Sequence, residues 1–296
     1  RPGSGLDDNA YTNVLVAWLM GRTLEAYETL QGHHCDDLWE RLGLAYAELE
    51  HWDQLRRRLA VPFQADGYIA QFAGWDDLEE LDWDAYRATY DNIGRLDLIL
   101  EAEGDNTNHY KLAKQADALM LLYLFSAAEL VDLLDQLGYS FDPKCLPAMV
   151  DYYLARTADG STLSHVAHSW VLARADRALS WPLLLEALEA DVADTQGGTT
   201  AEGIHLGAMA GTVDLVQRGY SGIEARGGIL HLAPHLPDDL DRLTFEITYR
   251  GHQIEIDIDH REVRIHSRAG AAEPVQLELN GRILHLRPGQ RHTAPL

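Results

Sequence analysis

The segment Asp194-Thr195-Gln196-Gly197-Gly198-Thr199-Thr200 runs straight into an apolar pattern of helical spacing over Ala201–Gln217. Two glycines let the backbone approach a ligand closely, and the hydroxyls beside them donate hydrogen bonds. A helix start adds free N–H groups and a positive dipole end, so this combination can bind an anion. The same residues also fit a plain capped turn, with Thr199 or Thr200 as the N-cap. Glu202 and His205 lie three apart, on one face of the expected first turn. The plain reading of the two is a capping-box Glu and a packed His. Gly203, Gly207 and Gly211 recur every four residues, a stripe that suggests close approach of another backbone.

Two further polar sets precede apolar runs. Asp159-Gly160-Ser161-Thr162-Leu163-Ser164-His165 is a second hydroxyl cluster at a helix start. Lys114-Gln115-Ala116-Asp117 is embedded in the apolar run through Phe125, either as a surface stripe or as a buried polar site. His33-His34-Cys35 has no partner at metal-ligand spacing and reads as a loop, so no metal site is expected. Arg56-Arg57-Arg58 reads as a solvated helix face. The nucleophile elbow, the P-loop and the dinucleotide fingerprint are all absent from the sequence.

Charge narrows the classes of function. The 296 residues hold 24 Lys and Arg against 47 Asp and Glu, a net charge of −23. Nucleic acid and anionic membrane surfaces are poor partners for such a chain. An anion can bind only where donors are gathered locally. Two distant cysteines, Cys35 and Cys145, suit a reducing compartment, and the expected location is cytoplasmic. No apolar run reaches the roughly 18 residues of a membrane span. No apolar signal-peptide core follows Arg1.

The elements that must position these residues fall into two classes. Helical patterns cover Asn9–Leu30, Asp36–Leu59 and then about 84–102, 108–125, 127–137, 144–156, 163–179, 182–191 and 201–219. Asp105 or Asn106 is placed to cap the helix carrying Lys111 and Lys114, and Pro182 to open the helix that follows Trp181. Residues 62–83 read as a long ordered loop with aromatic anchors. From Leu243 onward the period becomes two. Alternating runs are separated by Arg250-Gly251, Asp259-His260 and Asn280-Gly281, which predicts a small antiparallel β module. Residues 1–225 carry almost all the net charge, so the expected division is a helical domain over 1–225 and a β-sheet domain over 226–296.

Five segments carry a resemblance: Asp8-Asn9-Ala10-Tyr11-Thr12-Asn13, Asp66-Gly67-Tyr68-Ile69-Ala70-Gln71-Phe72, Lys114-Gln115-Ala116-Asp117, Ser161-Thr162-Leu163-Ser164 and Gly197 through His205. In content and order they resemble glycoside hydrolase family 65, the inverting disaccharide phosphorylases such as maltose, trehalose and kojibiose phosphorylase. The resemblance implies a mainly α fold, here the second half of an (α/α)6 barrel followed by a small antiparallel β domain. It implies phosphorolysis of an α-glucosyl disaccharide to β-glucose 1-phosphate, with inorganic phosphate as co-substrate and no other cofactor. It implies Ser161, Ser164, Gly198, Thr199, Thr200 and His205 as phosphate ligands, and Lys114 and Gln115 as ligands of the glucosyl unit. Phosphate is already an anionic nucleophile, so such an enzyme needs one acid and an anion cradle rather than two carboxyl groups.

One departure stands out. The family's general acid is a Glu in an Asp-Glu-Tyr-His-Glu stretch just ahead of the first segment, where this sequence reads Arg1-Pro2-Gly3-Ser4-Gly5-Leu6. The expectation is a truncated or altered piece whose partner is the missing N-terminal half of the barrel. Exposed apolar helix faces would then favour homo-oligomers. Two alternatives remain: a hydrolase on the same fold with Glu202 as base, and a non-catalytic fragment that binds carbohydrate or phosphate.

Overall fold

The computed structural model describes residues 6–31, 36–158, 162–175, 177–194 and 199–296. The chain forms two compact units, Arg1–Gly160 and Ser161–Leu296. The helical-then-strand class expected from the sequence is the class observed. Among the described residues, no helix is long and apolar enough to cross a membrane.

Among the described residues the first unit holds eight α-helices: α1 (Ala10–Leu30), α2 (Asp36–Leu42), α3 (Tyr46–Arg56), α4 (Trp83–Thr89), α5 (Leu96–Ala102), α6 (Asp117–Leu124), α7 (Ala127–Gln136) and α8 (Leu146–Leu154). Local chemistry sets several starts. Asn9 accepts from the Thr12 amide at 2.9 Å to open α1, and Ser126 with Glu129 forms a reciprocal capping box on α7. The expected helix over 36–59 is split at Gly43, whose φ of +63° suits glycine and ends α2. Helix α6 buries Ala118, Leu119, Leu121 and Leu122, and α1 packs against α3, α6 and α7. The loop expected over 62–83 corresponds to a segment over 57–82 between α3 and α4, with one 3-10 turn at Trp75–Asp77. It buries Ile69 and Trp75, and the Tyr153 hydroxyl accepts from Gln64 Nε2 at 3.0 Å while donating to the Ile69 carbonyl at 2.6 Å.

The expected helix over 84–102 is split into α4 and α5, and another forms only in its second half. The pattern over 108–125 yields α6 only from Asp117. Asn106 caps just a 3-10 turn over Thr107–His109. Beyond it the backbone bonds sideways instead of along a helix. The Lys111 amide donates to Glu79 O at 2.7 Å, the Ala113 amide to Arg156 O at 3.0 Å, and the Ala158 amide to Ala113 O at 2.9 Å. Lys111 and Lys114 therefore lie on a bent, non-helical segment, and the predicted helical face shared by Lys114 and Asp117 does not form.

The second unit opens with α9 (Thr162–Ala175), α10 (Arg177–Glu189) and α11 (Leu206–Asp214). Ser169 and Ser180 clamp α9 to α10 by exchange: each hydroxyl donates to the other's carbonyl at 2.7 Å. Pro182 lies inside α10 rather than at its start. The helix expected from Ala201 begins only at Leu206, after a 3-10 turn over Thr199–Glu202 and a break at Gly203 with φ +143°. The glycine stripe is thus interrupted. Gly207 faces open space, and Gly211 alone makes a close approach, with a built Cβ falling 2.6 Å from Val166 Cγ1.

Eight strands follow: β1 (Glu224–Arg226), β2 (Ile229–Leu232), β3 (Arg242–Tyr249), β4 (His252–Asp259), β5 (Glu262–Ser267), β6 (Val275–Leu279), β7 (Arg282–Leu286) and β8 (Arg291–Pro295). They form two sheets, ordered β1-β2-β6-β7 and β3-β4-β5-β8. Arg250-Gly251 and Asn280-Gly281 have positive φ at both residues, the geometry of a tight hairpin turn. Ile254, Ile256, Ile258 and Val263 are fully buried on the inner face. The pairing is antiparallel except between β2 and β6, which run parallel. A parallel pair needs a crossover, and here the β3–β4–β5 meander supplies it. The sequence reading missed β1, β2 and β8.

Candidate functional site

In the second unit the Asp191 carboxylate is a hub just beyond α10. Its Oδ1 accepts from His205 Nδ1 at 2.6 Å and from the Thr200 hydroxyl at 3.3 Å. Its Oδ2 accepts from the His205 backbone N–H at 2.8 Å. The Thr200 backbone N–H donates to Asp194 Oδ1 at 3.3 Å. A carboxylate only accepts, so the ring proton sits on Nδ1. The donors expected to face an anion at Thr200 and at the His205 amide are therefore turned onto the chain's own acids. Among the described residues, no hydrogen bond engages His205 Nε2, and the His205 side chain is 31% exposed.

Sequence reasoning did not single out Asp191. It precedes His205 by 14 residues, beyond the reach of helical spacing. The hydrogen bond from His205 holds the Asp191 carboxyl below its ordinary value of 3.8, helped by the His205 amide and opposed by desolvation. A depressed carboxyl stabilises its surroundings fully above the ordinary value and loses that contribution as pH falls through the lower, folded value. The Asp191 carboxyl carbon resonance is therefore expected to titrate with a midpoint below 3.8. A midpoint at or above 3.8 would contradict the hub.

Ser164 is fully buried in the first turns of α9. His165 Nδ1 lies 3.8 Å from Glu186 Oε2, an ion-pair distance that is too long for a hydrogen bond. Ser161 and Gly198 lie outside the described residues, as do the side chains of Thr199 and Glu202. The shared helical face expected for Glu202 and His205 does not form, because no α-helix spans them. Among the described residues, no group of three or more His, Cys, Asp or Glu could hold a metal ion.

In the first unit, three segments far apart in sequence meet. Asn9 Nδ2 donates to Asp117 Oδ2 at 2.8 Å. The Ala10 amide donates to Gln71 O at 3.0 Å, and Gln71 Oε1 accepts from the Ala118 amide at 3.3 Å. Gln71 is itself buried. This knot fixes the start of α6 and, with it, the two residues immediately before. Lys114 is exposed there, and Gln115 is half-buried with Nε2 2.9 Å from Met120 Sδ. Local propensity would have continued a helix here; the side chains of Asn9 and Gln71 instead hold a fixed corner that presents Lys114.

The model for the central catalytic domain of glycosyl hydrolase family 65 matches residues 3–214, and the model for that family's C-terminal domain matches residues 223–286. The chain belongs to glycosyl hydrolase family 65. An uncharacterised glycosyl hydrolase of Mycobacterium tuberculosis strain H37Rv is 52% identical over 285 residues, 96% of this chain and 21% of that protein. The trehalose 6-phosphate phosphorylase of Lactococcus lactis is 35% identical, over 90% of this chain and 33% of its own length. A kojibiose phosphorylase of Caldanaerobacter subterraneus is 25% identical, over 95% and 35% respectively. A solved structure described as a kojibiose phosphorylase from the human microbiome superposes with a TM-score of 0.75 at 19% identity, covering 98% of this chain and 36% of that one. The family 65 chain thus has the fold of that structure and spans about a fifth to a third of the relatives it matches.

Proposed function

We propose that the chain is part of an inverting phosphorylase that transfers glucose from an α-glucosyl disaccharide to inorganic phosphate, releasing β-glucose 1-phosphate. The observation that carries this reading is His205. Its Nδ1 is committed to Asp191, and its Nε2 points away from that bond, available to a ligand. The names of the relatives support the reaction class, since they include phosphorylases of trehalose 6-phosphate and kojibiose. In this reading Ser161, Ser164, Gly198, Thr199, Thr200 and His205 serve phosphate, while Lys114 and Gln115 serve the glucosyl unit. Thr200 and the His205 amide would reach phosphate only by exchanging their carboxylate partners for it.

Residues 1–225 then belong to an (α/α)6 barrel completed by the part of the relatives outside the match, and 226–296 form the C-terminal domain. That other part supplies the general acid and covers exposed apolar side chains such as Leu179, Leu185 and Leu188, 54%, 42% and 43% exposed. The test is to co-express the chain with the preceding portion of the M. tuberculosis relative and purify the complex. Trehalose, trehalose 6-phosphate, kojibiose and maltose are then supplied with and without phosphate. Phosphate-dependent release of a sugar 1-phosphate is expected from one of them. Phosphate-independent glucose release that is lost in Glu202→Gln would instead identify a hydrolase.

A further inference from the structure

We infer that Asp191 is the positioning residue of the proposed phosphate site: it locks His205 as the Nδ1–H tautomer and so makes Nε2 the nitrogen that meets the ligand. The inference rests on the reading of His205 as a phosphate ligand and adds how the ring is prepared for it. Three donors converge on one carboxylate: the ring at 2.6 Å, the His205 backbone amide at 2.8 Å and the Thr200 hydroxyl at 3.3 Å. The backbone amide fixes the carboxylate's orientation, and the carboxylate in turn fixes the ring. Only 9% of the Asp191 side chain is exposed, so water competes poorly for these bonds.

The chemistry follows from the tautomer. A neutral ring with its proton on Nδ1 offers a lone pair at Nε2. Hydrogen phosphate bound there donates its hydrogen to Nε2, and the proton passes to that nitrogen as another phosphate oxygen bonds to the sugar carbon, because a phosphate ester is a far stronger acid than hydrogen phosphate. The imidazolium so formed lies against the Asp191 carboxylate, which offsets its charge. One proton leaves a phosphate oxygen and arrives on Nε2, a second phosphate oxygen bonds to the sugar carbon, and the glycosidic bond breaks with its oxygen protonated by the general acid.

Asp191→Asn tests the lock. A backbone N–H can only donate, so the Asn oxygen must stay on the His205 amide. That turns the Asn NH2 toward Nδ1, which must now accept. The tautomer inverts, as it does when the carboxylate of a serine-protease triad is made an amide. The chain is labelled with 15N-histidine and observed at alkaline pH, where an ordinary histidine is neutral. The expected wild-type signature is a protonated Nδ1 and an unprotonated Nε2, and the expected variant signature is the reverse. Asp191→Glu should restore the wild-type pattern. A wild-type ring that averages between tautomers, or a variant that keeps the wild-type pattern, overturns the inference; the wild-type spectrum decides even if Asp191→Asn does not fold. Inorganic phosphate is then added to the wild-type chain. If the tautomer behaves as stated but the Nε2 resonance ignores phosphate, the lock stands and the phosphate-site reading falls.

Discussion

His205→Ala in the reconstituted enzyme is expected to lower kcat/KM for phosphate by about 100- to 1000-fold, the usual cost of one preorganised group facing a reacting anion. The KM for the disaccharide should change little, since the glucosyl contacts are assigned to other residues, Lys114 and Gln115. That split separates loss of a phosphate ligand from general damage, because damage to the fold would move both constants. The backbone N–H of residue 205 and the Thr200 hydroxyl still reach Asp191 in the variant, so the turn keeps two of its three ties to that carboxylate. Initial rates measured against phosphate at saturating disaccharide check the prediction. A variant with the wild-type dependence on phosphate would show that the ring takes no part.

Gly222→Ala is expected to be the most destabilising single methyl in the second unit. Gly222 has φ +61°, a conformation costing other residues about 1–2 kcal/mol. The added carbon would also lie 2.5 Å from the Ala233 carbonyl oxygen and 2.9 Å from its carbon. These are backbone atoms, and the neighbouring chain is pinned by the His235 amide donating to Tyr220 O at 2.8 Å. The clash cannot be relieved by a rotamer change, so a loss of about 3 kcal/mol or more is expected, a large share of the stability of an ordinary domain. Gly227→Ala is the matched control. Its φ is +57°, yet nothing lies within 4 Å of the added carbon, so it should cost only the conformational part. Urea midpoints for the two variants measure the difference; equal midpoints would contradict the steric argument.

The strands were legible where their signals are local. Arg250-Gly251 and Asn280-Gly281 announce hairpins by turn chemistry alone, and Ile254, Ile256 and Ile258 announce one buried face. The three-residue strand β1 gives no such period, and β8, with its burial alternating only between half-buried and exposed, gives a weak one. Helix prediction failed where distant backbone took the hydrogen bonds. The segment carrying Lys114 is held by Glu79 and Arg156, neither of which its own sequence reveals. The candidate site divides in the same way. Thr200 and His205 stood out as polar residues ahead of an apolar pattern, but Asp191 looked like one more acid in a chain with 47 of them. Its role depends on hydrogen bonds to residues 9 and 14 positions further on, which periodicity does not encode.

The parallel pairing of β2 with β6 bears on how the protein comes off the ribosome. The two sheets are threaded alternately: β1 and β2 begin one, β3 to β5 begin the other, β6 and β7 return to the first, and β8 returns to the second. Until residues 275–286 emerge, the outer side of β2 is an open edge. Until residues 291–295 emerge, so is that of β5. Unpaired edges are sites for intermolecular strand pairing. The nascent chain must therefore carry two open strand borders at once, one until residues 275–286 are made and the other until residues 291–295 are made.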